Sequence, residues 1–393
     1  MKKLLLCLVL LNLIFTNCKN ETKNTNNTTQ TNSSTTSVKD AKSKPEIYLY
    51  AVVTENLILR DQPNKQSNTL LKLGLKDFVT STGELSKDSI DAKVNGLDYR
   101  GPFLKVTSTT PEQTQGWIFE PALTRVYAGS KANSPDLGKL TQLSTFLSTL
   151  PVKKLDSGQK AWAYVKNNYA DVKGTTADAA SILLMGFLNK MQFSGHFDAL
   201  FEKIKFTDAD NEAIWKMTFD GQKYPATKAA VDAGFYLASS EGYTFAVPDY
   251  RPMKTFWKDK VTPTMNQYLD LNIVEQHTYT DDGGIVIPLE ELADRTVAWE
   301  RFETENPYFT NQVSTSRFME NAILMGMNNT PVFDYETKML TEDTKKAWAY
   351  ILQKYPDTRL GKNVKALSEL ITAEKGIRTP KVDAFLEQFL KVF

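Results

Sequence analysis

The chain has 393 residues, of which 41% are hydrophobic and 24% charged, a composition typical of a globular protein with room for about two domains. Its 47 basic residues nearly balance its 46 acidic ones, so the sequence lacks the excess positive charge that nucleic-acid binding requires. The same balance argues against attachment to anionic lipids by charge alone, and we expect no nucleic-acid partner.

The N-terminus begins with Lys2 and Lys3 and continues as the apolar run 4–15 before Cys18. This run is too short to cross a bilayer and predicts a secretory leader. The order of these features resembles the bacterial lipoprotein signal, in which the cysteine carries acyl chains such as palmitate and becomes the first residue of the mature protein. The resemblance implies a signal peptide over residues 1–17 and membrane attachment through lipidated Cys18.

The tract 18–45 is rich in Asn and Thr, has no aromatic residue, and contains Val38 as its only aliphatic side chain larger than alanine. Such a segment cannot bury enough apolar area to offset the entropy lost on ordering, and we predict a disordered spacer. Lys19 and Asn20 follow Cys18 without the aspartate that marks inner-membrane retention in enteric bacteria. Their presence favours the outer membrane of a Gram-negative bacterium as the location in the cell envelope.

Cysteine and histidine are scarce, because the chain contains only Cys7, Cys18, His196 and His277. Cys7 leaves with the leader, so no thiol remains for cysteine-peptidase chemistry. The two histidines are far apart in sequence and lack metal-ligand spacing, so we predict neither a metal site nor a cofactor. One histidine suffices for a Ser-His-Asp triad, and that alternative stays open, although no Gly-x-Ser-x-Gly motif marks its serine.

From Glu46 onward, short β-branched and aromatic runs recur about every ten residues between turn signals. This spacing predicts a small all-β barrel over residues 46–126. Three sequence blocks follow one another in this segment. They are Asn56-Leu57-x-Leu59-Arg60-x-x-Pro63, Leu71 to Gly74, and Gly116-Trp117-Ile118.

These blocks resemble the bacterial SH3-like (SH3b) domain. In that family the barrel binds cell-wall peptides or other extended chains in a groove beside its first long loop. The resemblance implies that Asp61, Tyr99 and Trp117 contribute to such a groove. The alternative for Trp117 is a place in the core, because a tryptophan in a Gly-Trp-Ile strand often packs inward.

Helical periodicity dominates later, and we predict a mainly α-helical domain with a few short strands over residues 140–393. An apolar stripe that includes Val382 and Leu386 predicts a helix opened by Thr379-Pro380, and Pro356 is expected to end another helix that begins after Thr341. Further helices are expected at 157–169, 176–192, 209–218, 225–240, 255–271, 288–304, 315–326 and 362–375. The sequence Lys-Ala-Trp-Ala-Tyr occurs twice, around Trp162 and Trp348. Both tryptophans lie on apolar stripes and are predicted to be core residues.

Between residues 241 and 301 the periodicity is less regular, and polar groups gather on non-helical backbone, where binding residues are common. The candidate ligand-binding residues of this region are Glu241, Tyr243, Asp249, Arg251, His277, Asp281 and Asp282. An Asp-Gly turn at Asp282 favours either a β-hairpin or an irregular loop before the next helix. The alternative is that these residues only form turns and cap helices.

Together these patterns predict a lipid-anchored envelope protein that binds cell-wall peptide, polysaccharide or an envelope protein without catalysis. The alternative is a carboxylate-dependent hydrolase of cell-wall glycan, targeted by its SH3-like domain. In that case Glu241 and Asp282 are the candidate acid pair, which requires a carboxylate separation of roughly 5–10 Å.

Overall fold

The computed structural model describes residues 44–194, 197–240, 242–309 and 315–390. The leader, Cys18, nearly all of the spacer, His196 and Glu241 lie outside the described residues. The predicted order of the fold is confirmed, since an antiparallel sheet comes first and a mainly helical region with three short hairpins follows. Within the described ranges no helix is both long enough and apolar enough to span a membrane.

The sheet has eight strands, all paired antiparallel. They are β1 (Ile47–Val52), β2 (Leu57–Arg60), β3 (Thr69–Leu73), β4 (Phe78–Ser81), β5 (Leu85–Val94), β6 (Leu97–Ser108), β7 (Gln115–Phe119) and β8 (Leu123–Gly129). The strand order is β3-β2-β7-β6-β4-β1-β8, with β5 on β6. The sheet is open, because no ladder among the described strands joins β3 to β8.

The two faces of the sheet serve different cores. In β1, Tyr48, Tyr50 and Val52 alternate with Leu49 and Ala51, as the two-residue period of a strand requires. The first set packs with side chains of the other strands, including Leu59, Leu104 and Ile118. The second set joins Phe78 and Val126 in the large core of the helical region. The sheet and the helices are therefore packed together.

Thirteen α-helices lie within the described part of the chain. They are α1 (Leu137–Ser148), α2 (Asp156–Asn168), α3 (Thr175–Phe193), α4 (Asp198–Phe201), α5 (Asp208–Trp215), α6 (Pro225–Asp232), α7 (Tyr250–Trp257), α8 (Pro263–Glu275), α9 (Leu289–Glu305), α10 (Thr315–Met325), α11 (Glu342–Lys354), α12 (Arg359–Ala373) and α13 (Pro380–Leu390). The hairpins are β9 (Phe235–Ser240) with β10 (Tyr243–Pro248), β11 (Thr280–Asp281) with β12 (Gly284–Ile285), and β13 (Gly326–Met327) with β14 (Thr330–Pro331).

The predicted helix over 225–240 is wrong in its second half. Helix α6 ends at Asp232, and Gly234 then adopts a φ of +94°, a conformation that glycine tolerates best. A Cβ at Gly234 would lie 2.3 Å from Nε1 of Trp162, so the close approach also requires glycine. The chain then enters β9. The single helix predicted over 255–271 is likewise two helices, since the Thr262 side chain caps α8.

Candidate functional site

Two of the three residues predicted for the sheet groove share one apolar cluster. Tyr99 of β6 and Trp117 of β7 are both partly buried against the cluster that contains Phe103 and Phe119. Trp117 also lies directly across from Lys105, whose Nζ is 5.7 Å from the centre of the indole ring. Trp117 therefore has one side in the cluster and one side beside a lysine.

Asp61, the third predicted groove residue, is engaged within its own turn. Its carboxylate accepts hydrogen bonds from the Asn68 backbone N–H at 3.0 Å and from the Asn68 side-chain amide at 2.8 Å. The Lys65 ammonium of the same turn donates to the Asp91 carbonyl of β5. The 61–68 turn is thus held by hydrogen bonds within itself and by one to β5.

In the helical region the three hairpins lie side by side, and the predicted turn at Asp282 is in the middle of the row. Asp282 and Gly283 have φ values of 44° and 69° between the paired residues of β11 and β12, which confirms the hairpin rather than the irregular loop. On one side, the Ser240 hydroxyl of β9 donates to the Asp281 carboxylate. On the other, the Asn329 N–H donates to the Gly283 carbonyl at 3.0 Å.

Asp249 and Arg251 are paired with each other. Asp249 caps α7 by accepting from the Arg251 N–H at 2.9 Å, and it also receives both ends of the Arg251 guanidinium at 2.8 and 2.9 Å. The guanidinium in turn lies 5.8 Å from the ring centre of Tyr236. Tyr243 is different, because 55% of it is exposed on β10.

His277 lies against a buried ion network that the sequence analysis missed. Arg295 is 7% exposed and donates to the Glu291 carboxylate at 2.6 Å and to the His277 carbonyl at 2.6 Å. Its guanidinium is also 3.6 Å from Glu275. Burial raises the pKa of Glu275 to about 7, and Arg295 and the Trp299 N–H offset that effect only in part. The network joins α8 to α9 and is structural.

This network makes a pH prediction. The folded state holds the Glu275 proton more tightly than the unfolded state, so stability is fully present below pH 4.5 and is lost as pH rises to about 7. We expect the free energy of unfolding to fall by about 3 kcal/mol through this group. Urea unfolding of the wild type and of Glu275→Gln, which cannot titrate, measures the difference in slope.

Asp178 also titrates in this pH range, and it does so equally in the wild type and in Glu275→Gln. Its burial raises its pKa to about 6 although it accepts two hydrogen bonds from Thr262, so it lowers stability over the lower part of the same pH range in both proteins. A wild type and a Glu275→Gln variant with identical pH slopes between pH 5 and 7.5 would show that Glu275 stays ionised in the fold.

Next to the row of hairpins lies a surface cleft of about 440 Å³, a size typical of small-molecule sites. It is lined by residues 325–328, 331–335 and 338 and by Arg378 and Asp383. Asn329, which contacts the Asp282 turn, belongs to the same β13–β14 hairpin as the cleft wall. The cleft is therefore adjacent to predicted site residues but contains none of them.

The walls of the cleft are fixed by local bonds. Gly326 has a φ of +77°, and a Cβ there would lie 2.7 Å from the Val332 nitrogen, so the hairpin requires glycine at this point. Oδ1 of Asp334 accepts from the N–H groups of Glu336 and Thr337 at 3.1 and 2.7 Å and holds the next turn. These turn-specific bonds pre-form the cleft.

One aromatic ring stands out in the cleft. Tyr335 is 64% exposed, yet its hydroxyl donates to the Asn328 carbonyl at 2.9 Å. Its ring is thus held at one end and open to solvent over much of its surface. In the same cleft, Arg378 forms an ion pair with Asp383 at 2.6 Å and lies 5.4 Å from the ring centre of Phe333.

The cleft residues were missed because their signals are spread along the chain. Gly326, Asn328, Asn329 and Pro331 are turn formers that could have predicted a hairpin after α10. Arg378 comes from much later in the sequence, and it reaches the cleft because its N–H donates to the Lys338 carbonyl at 2.8 Å. No local pattern predicts that contact.

The described part of the chain contains no group of three or more His, Cys, Asp or Glu side chains placed to hold a metal ion. In comparisons with protein-family models, with curated proteins and with solved structures, nothing matches this chain.

Proposed function

We propose that this protein is a lipid-anchored cell-envelope protein that binds an envelope polymer or an envelope protein without catalysis. The observation that carries the proposal is the pre-formed cleft beside the β13–β14 hairpin, in which the exposed Tyr335 ring is held by its hydroxyl. Binding sites typically combine such a fixed aromatic surface with a few convergent polar groups.

The anchor and the location rest on the N-terminal pattern. A leader, a cysteine at position 18 and a polar tract before the first strand suit a domain tethered at the outer membrane. We further propose that the sheet is an SH3-like barrel in type. Two observations support this assignment. The motif blocks occur in the order of that family, and β1, β2, β6 and β7 all contribute side chains to one apolar cluster on the same face of the sheet.

The acids of the structure favour binding over hydrolysis. A glycosidase needs a carboxyl group that stays protonated near neutral pH beside its substrate. In the cleft, hydrogen bonds from Thr337 hold the pKa of Asp334 below its usual value, and Asp383 is paired with Arg378. Glu275 has a raised pKa, but its carboxyl lies between Arg295 and Trp299 rather than in the cleft.

The proposal is tested by retention on envelope material. Full-length protein in mild detergent is incubated with purified sacculi, with envelope polysaccharide and with outer-membrane protein, then sedimented or captured. We expect retention on at least one of the three and no release of muropeptides or sugars. The double variant Tyr335→Ala/Lys338→Ala should lose at least about tenfold in affinity, because it removes the exposed ring and a neighbouring charge.

A matched control is Trp215→Ala/Lys216→Ala, which removes an aromatic and a lysine at the end of α5, where Trp215 is 37% exposed. This variant should be retained like the wild type. Retention on none of the materials would contradict the proposed function, and release of soluble fragments would favour the hydrolase.

A further inference from the structure

We infer that the ligand of the cleft is a neutral saccharide whose ring stacks on Tyr335. The inference rests on the proposed function, since it takes the cleft to be the binding site, and it names the chemical class of the ligand. It is carried by two independent features of the cleft, the geometry of one aromatic ring and the balance of charges around it.

The ring of Tyr335 is suited to stacking. One end is tied to the Asn328 carbonyl, while the residue stays 64% exposed. Binding a flat ligand surface therefore costs little side-chain entropy, which is the cost that usually weakens exposed contacts. The apolar C–H face of a pyranose ring is flat and matches the negative face of an aromatic ring.

The charges around the ring cancel. The lining contains the cations Lys338 and Arg378 and the anions Asp334 and Asp383. Arg378 forms an ion pair with Asp383, and Lys338 belongs to the same turn as Asp334, whose carbonyl accepts from the Lys338 N–H. An anionic ligand would meet the two carboxylates, and a cationic ligand would meet the two basic groups. An apolar ligand would desolvate all four charges without replacing their hydrogen bonds, which is unfavourable.

A neutral polyol satisfies both kinds of group, because each hydroxyl both donates and accepts. The groups needed are present. Lys338 forms no ion pair with a described residue, and the hydrogen bonds that described residues give to the Asp334 carboxylate all end on Oδ1. Lys338 can donate to a sugar oxygen while Oδ2 of Asp334 accepts from a sugar hydroxyl. Stem peptides of the cell wall carry net charge and fit this lining less well.

The test is isothermal titration calorimetry of the full-length protein in mild detergent. The probes are neutral oligomers of glucose, galactose, mannose and N-acetylglucosamine, with polygalacturonate and a charged stem peptide for comparison. We expect binding of at least one neutral oligomer and binding of the charged probes at least about tenfold weaker. Tyr335→Phe keeps the ring but loses the hydroxyl bond to the Asn328 carbonyl, so it should bind more weakly than the wild type and more tightly than a variant without the ring.

Tyr335→Leu separates stacking from general hydrophobicity. It keeps an apolar side chain without the flat ring and should bind at least about tenfold more weakly, while Trp215→Ala should be unchanged. Equal affinity of Tyr335→Leu and wild type would overturn the stacking, and binding of only the charged probes would overturn the saccharide. Those results leave envelope retention in place, whereas loss of all retention on envelope material contradicts the proposed function itself.

Discussion

Replacing Trp348 by alanine is expected to lower the free energy of unfolding by about 3–5 kcal/mol. Trp348 is 3% exposed in the core of the helical region, and its indole N–H donates to the Ile323 carbonyl of α10 at 3.4 Å. Truncation removes this bond, leaves a large cavity between α11 and its neighbours, and forfeits the transfer free energy of the ring. Chemical unfolding followed by circular dichroism measures the loss.

Trp215→Ala is the control, because Trp215 is 37% exposed on a short helix and its truncation should cost about 1 kcal/mol or less. The comparison also tests the repeated Lys-Ala-Trp-Ala-Tyr sequence. Trp162, its first tryptophan, is 5% exposed and should behave like Trp348. A Trp348→Ala protein that unfolds at the same denaturant concentration as the wild type would contradict the core assignment.

Cys18→Ser is expected to move the protein from the membrane fraction to the soluble fraction almost completely. Acyl chains on Cys18 would each contribute about 0.8 kcal/mol per buried methylene, and several chains together hold a protein firmly. The variant removes the thiol to which they attach. Fractionation of cells, followed by immunoblotting and by metabolic labelling with a palmitate analogue, measures both the location and the modification.

Cys7→Ser provides a matched control, since the only other cysteine lies inside the predicted leader. It should leave both the labelling and the membrane association unchanged. A Cys18→Ser protein that still sediments with membranes and withstands a high-salt wash would show that another part of the chain attaches it.

The elements predicted from local patterns agree well with the structure. Strand alternation predicted the sheet, and the stripe through Val382 and Leu386 predicted α13, in which both residues are at most 3% exposed. Pro356 was expected to end a helix, and α11 ends at Lys354. Each of these features depends on neighbours within one strand or a few helical turns, which a sequence displays directly.

The errors arise where distant contacts decide the structure. Gly234 breaks the helix predicted over 225–240 at a point where Trp162 leaves no room for a side chain. Among the predicted site residues, Asp249 and Arg251 satisfy each other, and Asp61 braces its own turn. The cleft depends on a hydrogen bond from the Arg378 N–H to the Lys338 carbonyl, and α11 and α12 separate these two residues in the sequence. The polar loop residues therefore predicted a site next to the cleft rather than in it.

The pairing of β1 with β8 determines how tension would pass through a tethered molecule. Ile47, at the start of β1, is paired with Gly129, at the end of β8, and the Glu46 carboxylate accepts from the Lys131 N–H at 2.9 Å. In the lipid-anchored, ligand-bound state proposed above, a pull between the membrane and the ligand would enter the sheet at Ile47 and leave it along the chain at Gly129. The load would reach this end pair of the β1–β8 ladder first, and in this geometry an antiparallel ladder opens one pair at a time from its end.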